Sequence, residues 1–133
     1  MDEKKILLVD DEVQILNMLE EAFKLHGYSV TTAESAESAL EILAKESIMV
    51  MFLDLKLPGM SGIDLCRRIR EENQIAVISA LTGYSNFFGL LECRAAGFDD
   101  FFTKPAGLKT LLKAAEDAFE KIERWKIYEY NLV

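Results

Sequence analysis

Short apolar runs alternate along this chain with stretches whose apolar residues recur every three or four positions. Residues 4–9 (KKILLV), 28–33 (YSVTTA), 48–53, 75–80 (IAVISA) and 99–103 (DDFFT) read as five strands. The run at 48–53 is apolar throughout, as a central parallel strand covered on both faces would be. YSVTTA is more polar and suits a sheet edge. Helices are predicted after each strand. The first runs to about His26, with Val13, Ile15, Leu16, Leu19, Ala22 and Phe23 as its inner stripe and Gly27 as its stop. Ser35 caps a second helix to about Glu46. Ser61-Gly62-Ile63-Asp64 opens a third, to about Glu72, in the manner of a capping box. A fourth spans about Ser85 to Ala96, softened by Gly89. The fifth starts near Gly107 and runs to about Tyr128.

Strict strand and helix alternation predicts a doubly wound α/β fold, a parallel sheet with helices on both faces. The expected strand order is the flavodoxin-like 2-1-3-4-5, with five strands and five helices. In that order the chain reverses direction between strands one and three. Ligands collect at the carboxyl edge of such a reversal. Strand one ends in Asp10-Asp11-Glu12 and strand three in Asp54. Carboxylates crowded there would repel one another unless a hard cation such as Mg2+ (or Mn2+) joined them. Glu12 is read instead as helix-start charge. Thr82, a hydroxyl donor, follows strand four, and Lys104, an ammonium, follows strand five. Acids, a hydroxyl and a cation at neighbouring strand ends suit a phosphoryl group. One carboxylate remains as nucleophile, giving an aspartyl phosphate.

Composition narrows this further. The chain has 133 residues, one domain's worth, and a formal net charge of −8. That charge disfavours direct nucleic acid binding and anionic membrane. No apolar run is long enough to span a bilayer, and no signal peptide opens the chain, so a cytoplasmic location is expected. Cys66 and Cys93 form no CxxC pattern and read as small buried hydrophobes in a reducing compartment. His26 reads as a helix-end contact, and Met49, Met51 and Met60 as packing.

Four segments, ILLVDDE, FLDLKLPGMSGIDL, SALTGY and FFTKP, carry a resemblance to the receiver domain of two-component response regulators. It covers about Lys4 to Phe119. The resemblance implies a phosphoprotein of signal transduction that accepts a phosphoryl group rather than an enzyme in its own right. It implies that Asp54 is the phospho-acceptor. Asp10 and Asp11 would be the acidic metal pair, with the Lys56 backbone carbonyl completing the protein's share. Thr82 would be the switch hydroxyl and Lys104 the phosphate-contacting lysine. The Lys104-Pro105 bond would be cis, and the aromatic switch position would be Phe101, where many relatives carry tyrosine. Lys56 and Tyr84 would tune the lifetime of the phosphate. The implied partners are a histidine kinase or histidine phosphotransfer protein, and an output partner that reads the face of helix four, strand five and helix five. Two other readings stand beside it: a receiver used only for docking, and a haloacid-dehalogenase-type phosphatase. The latter wants a DxD motif where this chain has Asp10-Asp11-Glu12.

The last helix is longer than the sheet needs. Leu108, Leu112, Ala115, Phe119 and Ile122 step by four and three as a heptad-like stripe, of which core packing explains Leu108 to Phe119. A receiver domain at 1–122 and a helical extension or tail at 123–133 are therefore expected. Beyond Phe119, the residues Ile122, Trp125, Ile127, Tyr128 and Tyr130 have nothing obvious to cover and suit a homodimer contact or the start of a linker.

Overall fold

The computed structural model describes residues 3–83 and 87–131, with the side chains of 87, 88 and 127–131 left out. Its elements are β1 (Lys5–Val9), α1 (Val13–Leu25), β2 (Ser29–Ala33), α2 (Ala36–Lys45), β3 (Val50–Leu53), α3 (Gly62–Glu72), β4 (Val77–Thr82), α4 (Phe87–Ala96), β5 (Asp100–Thr103) and α5 (Leu108–Asn131). All four strand pairings are parallel, in the order β2-β1-β3-β4-β5. The doubly wound reading of the alternation is therefore correct. The fourth strand is displaced from expectation: it begins at Val77 and extends through Thr82. Asn73 causes the late start, because its Oδ1 accepts from the N–H groups of Ile75 and Ala76 and holds them in a turn.

Side-chain alternation divides the core in two. Ile6, Leu8, Val50, Phe52, Val77 and Leu81 pack beneath α1 and α5. Leu7, Val9, Met51, Leu53, Ile78 and Ala80 pack beneath α2, α3 and α4. Cys66 and Cys93 are buried in this second layer as free thiols, and burial pushes Cys66 up to about 11. Helix ends follow local chemistry. Ser35 Oγ accepts from Ser38 N and Ser61 Oγ from Asp64 N, each at 3.1 Å. Gly27 has φ +90°, which a side chain would resist, and lets α1 turn into β2. His26 Nδ1 lies 3.0 Å from the Ala22 carbonyl oxygen, a helix-end contact.

Two helix faces differ from the expected stripes. Val13 is 47% exposed, because it opens α1 at the carboxyl edge where the sheet ends; Leu16, Leu19 and Phe23 carry the buried face. Among the described residues of α5 the buried positions are Leu111, Ala115, Ala118 and Ile122, so Ile122, expected to have nothing to cover, lies in the core beneath the helix, while Leu108 is 41% exposed. The four-three rhythm is retained but the face is turned by one residue, leaving Leu112 and Phe119 on its flank. α5 runs without a break across position 122. Trp125 is exposed; Ile127, Tyr128 and Tyr130 have side chains outside the description.

Arg70 ties the amino-terminal edge together. Its guanidinium donates to the carbonyls of Gly97 (2.8 Å) and Ala76 (2.7 Å) and to Asp99 Oδ2 (2.8 Å), and Asp99 Oδ2 also accepts from Ile78 N. This planar fork joins α3 to β4 and to the turn entering β5. Arg70→Ala is expected to cost about 2–3 kcal/mol, since partly buried acceptors lose a charged donor. A fall in the urea midpoint checks this, with Arg70→Lys recovering only part of it.

Candidate functional site at the carboxyl edge

Register builds the site. Val9 lies opposite Leu53 in the β1–β3 ladder, so the next residues, Asp10 and Asp54, leave the sheet side by side. Backbone bonds fix both: Asp54 N donates to the Val9 carbonyl (2.8 Å) and Asp10 N to the Ala33 carbonyl (3.1 Å). On the other side Thr82 lies opposite Thr103, and Lys104 N donates to the Thr82 carbonyl at 2.9 Å. The next peptide bond, Lys104–Pro105, is cis.

These placements deliver the Lys104 ammonium to the acids. Its Nζ lies 2.7 Å from Asp10 Oδ2 and 3.0 Å from Asp54 Oδ2. Asp10 is 3% exposed, Asp54 5% and Thr82 1%. Burial pushes the Asp10 carboxyl up, and the hydrogen bond from Lys104 partly offsets that. For Lys104 burial works downward, but the bonds to Asp10 and Asp54 overcome it and hold the ammonium above the usual lysine range. The lysine is thus charged throughout the physiological range.

Oxygens of Asp10, Asp11, Glu12 and Asp54 lie within 4.8 Å of one another. Two of these acids are buried and two exposed, so one side of the cluster opens to solvent. An all-oxygen set of this kind, with room for water, fits Mg2+. The Lys56 N–H donates to Asp54 Oδ1 at 3.2 Å, which holds the start of the following loop against the same carboxylate. Gly62 backs the site from behind. Its N–H donates to the Leu55 carbonyl (2.9 Å), and a Cβ there would overlap the Asp54 carbonyl oxygen.

Asp10, Asp11, Asp54, Thr82 and Lys104 therefore gather at one edge. Lys56 is exposed beside them, and Phe101 on β5 is half-buried against the core. Tyr84 lies outside the described residues. Glu12 departs from its expected role as helix-start charge alone. Its Oε1 reaches Lys104 Nζ at 3.2 Å, because the turn in which Glu12 N donates to Asp10 Oδ1 folds it back toward the crevice. That Asx-type turn, two residues after a strand-end aspartate, was the available signal.

The model of the response regulator receiver domain matches residues 6–116. The chain is 34% identical over 122 residues to the alkaline phosphatase synthesis transcriptional regulatory protein PhoP of Bacillus subtilis, covering 86% of this chain and 51% of that one. It is 35% identical over 106 residues to a cyclic di-GMP phosphodiesterase of Thermotoga maritima, covering 80% of this chain and 28% of that one. The chain thus spans about half the length, or less, of these curated relatives. Among solved structures, a CheY-like receiver domain from Methanospirillum hungatei superposes with a TM-score of 0.89 at 27% identity, covering 92% of this chain and 98% of that one. The BeF3-activated DrrB receiver domain superposes with a TM-score of 0.83 at 32% identity, covering 90% and 99%. Among the described residues no helix is long and apolar enough to cross a membrane. Receiver domains are signalling phospho-acceptors, and their family binds Mg2+ at an acidic pocket such as the one formed here. By this match over most of its length, the chain belongs to the response regulator receiver domain family of two-component signalling.

Proposed function

We propose that Asp54 accepts a phosphoryl group from the phosphohistidine of a histidine kinase or histidine phosphotransfer protein. The observation that carries this reading is the placement of Lys104 Nζ 3.0 Å from Asp54 Oδ2, beside the acids Asp10, Asp11 and Glu12 that follow β1. Asp10, Asp11 and Asp54 would hold Mg2+ through carboxylate oxygens and Lys56 through its backbone carbonyl. When bound, the cation would neutralise phosphoryl oxygens, so that an anionic nucleophile can approach the phosphorus.

This chain's residues do the rest. An Asp54 carboxylate oxygen attacks phosphorus in line; the P–O bond forms as the P–N bond of phosphohistidine breaks, and its electron pair returns to the imidazole. Lys104 turns from Asp10 and Asp54 to a phosphoryl oxygen. Thr82 donates its hydroxyl to another. Its movement leaves space that Phe101 fills, and the face of α4, β5 and α5 changes shape for an output partner or a second copy. The phosphoryl group supplies the differential stabilisation between the two shapes. Lys56 and Tyr84, flanking the site in sequence, set how readily water reaches the acyl phosphate. These curated relatives extend beyond the length of this chain, and the 123–133 segment serves as the connection or dimer contact.

Incubation with a small-molecule phosphodonor and Mg2+ tests the reading. The native chain is expected to gain the mass of one phosphoryl group, and Asp54→Asn none. Equal incorporation in the variant would overturn the assignment of the acceptor.

A further inference from the structure

The loop between β3 and α3 has a second anchor that lies outside the strand-end cluster. Glu37, in the first turn of α2, accepts from Met60 N through Oε1 at 3.0 Å, a contact spanning 23 residues. The carboxylate lies directly on the loop: Oε1 is 2.9 Å from the position a Cβ would take at Gly59, which has φ +75°. The positive φ at Gly59 favours glycine, and a side chain there would push the Glu37 carboxylate aside. Ser35, the cap of α2, fixes the turn from which Glu37 projects. The Met60 hydrogen bond holds the Glu37 carboxyl below the usual carboxylate range, so the acceptor is ionised at neutral pH.

The same loop is held at its start by the Lys56 N–H on Asp54 and at its end by the Gly62 N–H on the Leu55 carbonyl. Leu55 and Leu57 are buried, whereas Lys56, Pro58 and Gly59 are exposed. Leu57 packs the middle of the loop into the core, and Glu37 adds the hydrogen bond that holds the exposed stretch after it. We propose that Glu37 is a positioning residue for the cation, holding the loop so that the Lys56 carbonyl is presented to Mg2+. This rests on the reading of that carbonyl as a ligand.

The test pairs Glu37→Ala with Glu37→Gln in the full chain. Gln loses the charge but keeps an acceptor oxygen, so the pair separates positioning from the general attraction of an acidic surface. Two quantities are read: exchange of the Met60 amide without metal, and Mg2+ affinity from amide shifts of Asp11 and Lys56 on titration. Glu37→Ala is expected to accelerate Met60 exchange and weaken Mg2+ by about tenfold, as loss of an outer-shell contact does. Glu37→Gln should restore most of both. The proposal is overturned if Glu37→Ala binds Mg2+ like the native chain, or if Glu37→Gln is as weak as Glu37→Ala. A native chain whose Asp11 and Lys56 amides ignore Mg2+ would instead remove the cation reading beneath the proposal, whatever Met60 does.

Discussion

Gly62→Ala is expected to destabilise the domain by about 3 kcal/mol or more and to distort the phosphoryl site with it. The added methyl would overlap the Asp54 carbonyl oxygen and stand 2.8 Å from the Asp54 carbonyl carbon and the Leu55 Cα. All three neighbours are backbone, so no side chain can swing away. Relief requires α3 to move off the end of β3, and that breaks the bond from Gly62 N to the Leu55 carbonyl. The same shift drags Asp54 from Lys104. A large fall in the urea midpoint together with loss of phosphorylation would bear this out. Gly83→Ala is the control, since nothing lies within 4 Å of a Cβ there. A Gly62→Ala chain as stable as the control would show that α3 seats differently.

Lys104→Met is expected to lower stability by about 3 kcal/mol at neutral pH, as happens when a buried ion pair loses one partner. It leaves the buried carboxylates of Asp10 and Asp54 without the ammonium that joins them. Removing the bond that offsets burial lets the Asp10 carboxyl rise further. A folded-state pKa above the unfolded one means that the folded chain binds protons more readily. The variant should therefore regain more stability than the native chain as pH falls through the carboxylate range. In the native chain the raised Lys104 ammonium contributes fully below the ordinary lysine value, near 10.5, and the contribution fades only as pH climbs through the higher folded value. Mg2+ should stabilise the variant more than the native chain, because the cation and the ammonium neutralise the same oxygens. Phosphorylation should slow by roughly a hundredfold, the effect of losing one preorganised charge donor. Denaturation series across pH, with and without Mg2+, check all but the last point, and phosphodonor kinetics check that.

The fold was legible because a parallel sheet writes its topology into local pattern. Apolar runs such as VMFL at β3 have no polar side, and the glycines and serines at the helix ends carry their own turn chemistry. Asp10, Asp54, Thr82 and Lys104 were legible for a related reason. In a doubly wound sheet the residue after each strand has only one place to go. What the pattern did not disclose are contacts between a side chain and distant backbone. Arg70 bonds to Gly97, Glu37 to Met60, and Glu12 turns back to Lys104; none of these leaves a periodic trace. Helix phase was also lost at the carboxyl edge. Val13 and Leu108 each open a helix where the sheet beneath has ended, so an apolar residue there need not face inward. The β4 boundary slipped because Asn73, a side chain before the strand, holds Ile75 and Ala76 in a turn that an apolar run conceals.

The proposed chemistry puts the acyl phosphate on one carboxylate, Asp54, while its neighbours hold the charge around it. Borohydride reduction after treatment with phosphodonor and Mg2+ reads the acceptor directly, since an acyl phosphate is reduced to an alcohol and converts aspartate to homoserine. Peptide mass mapping is expected to find homoserine at position 54. Homoserine at Asp10 or Asp11, or none at position 54 in a chain that has taken up phosphate, would contradict the account.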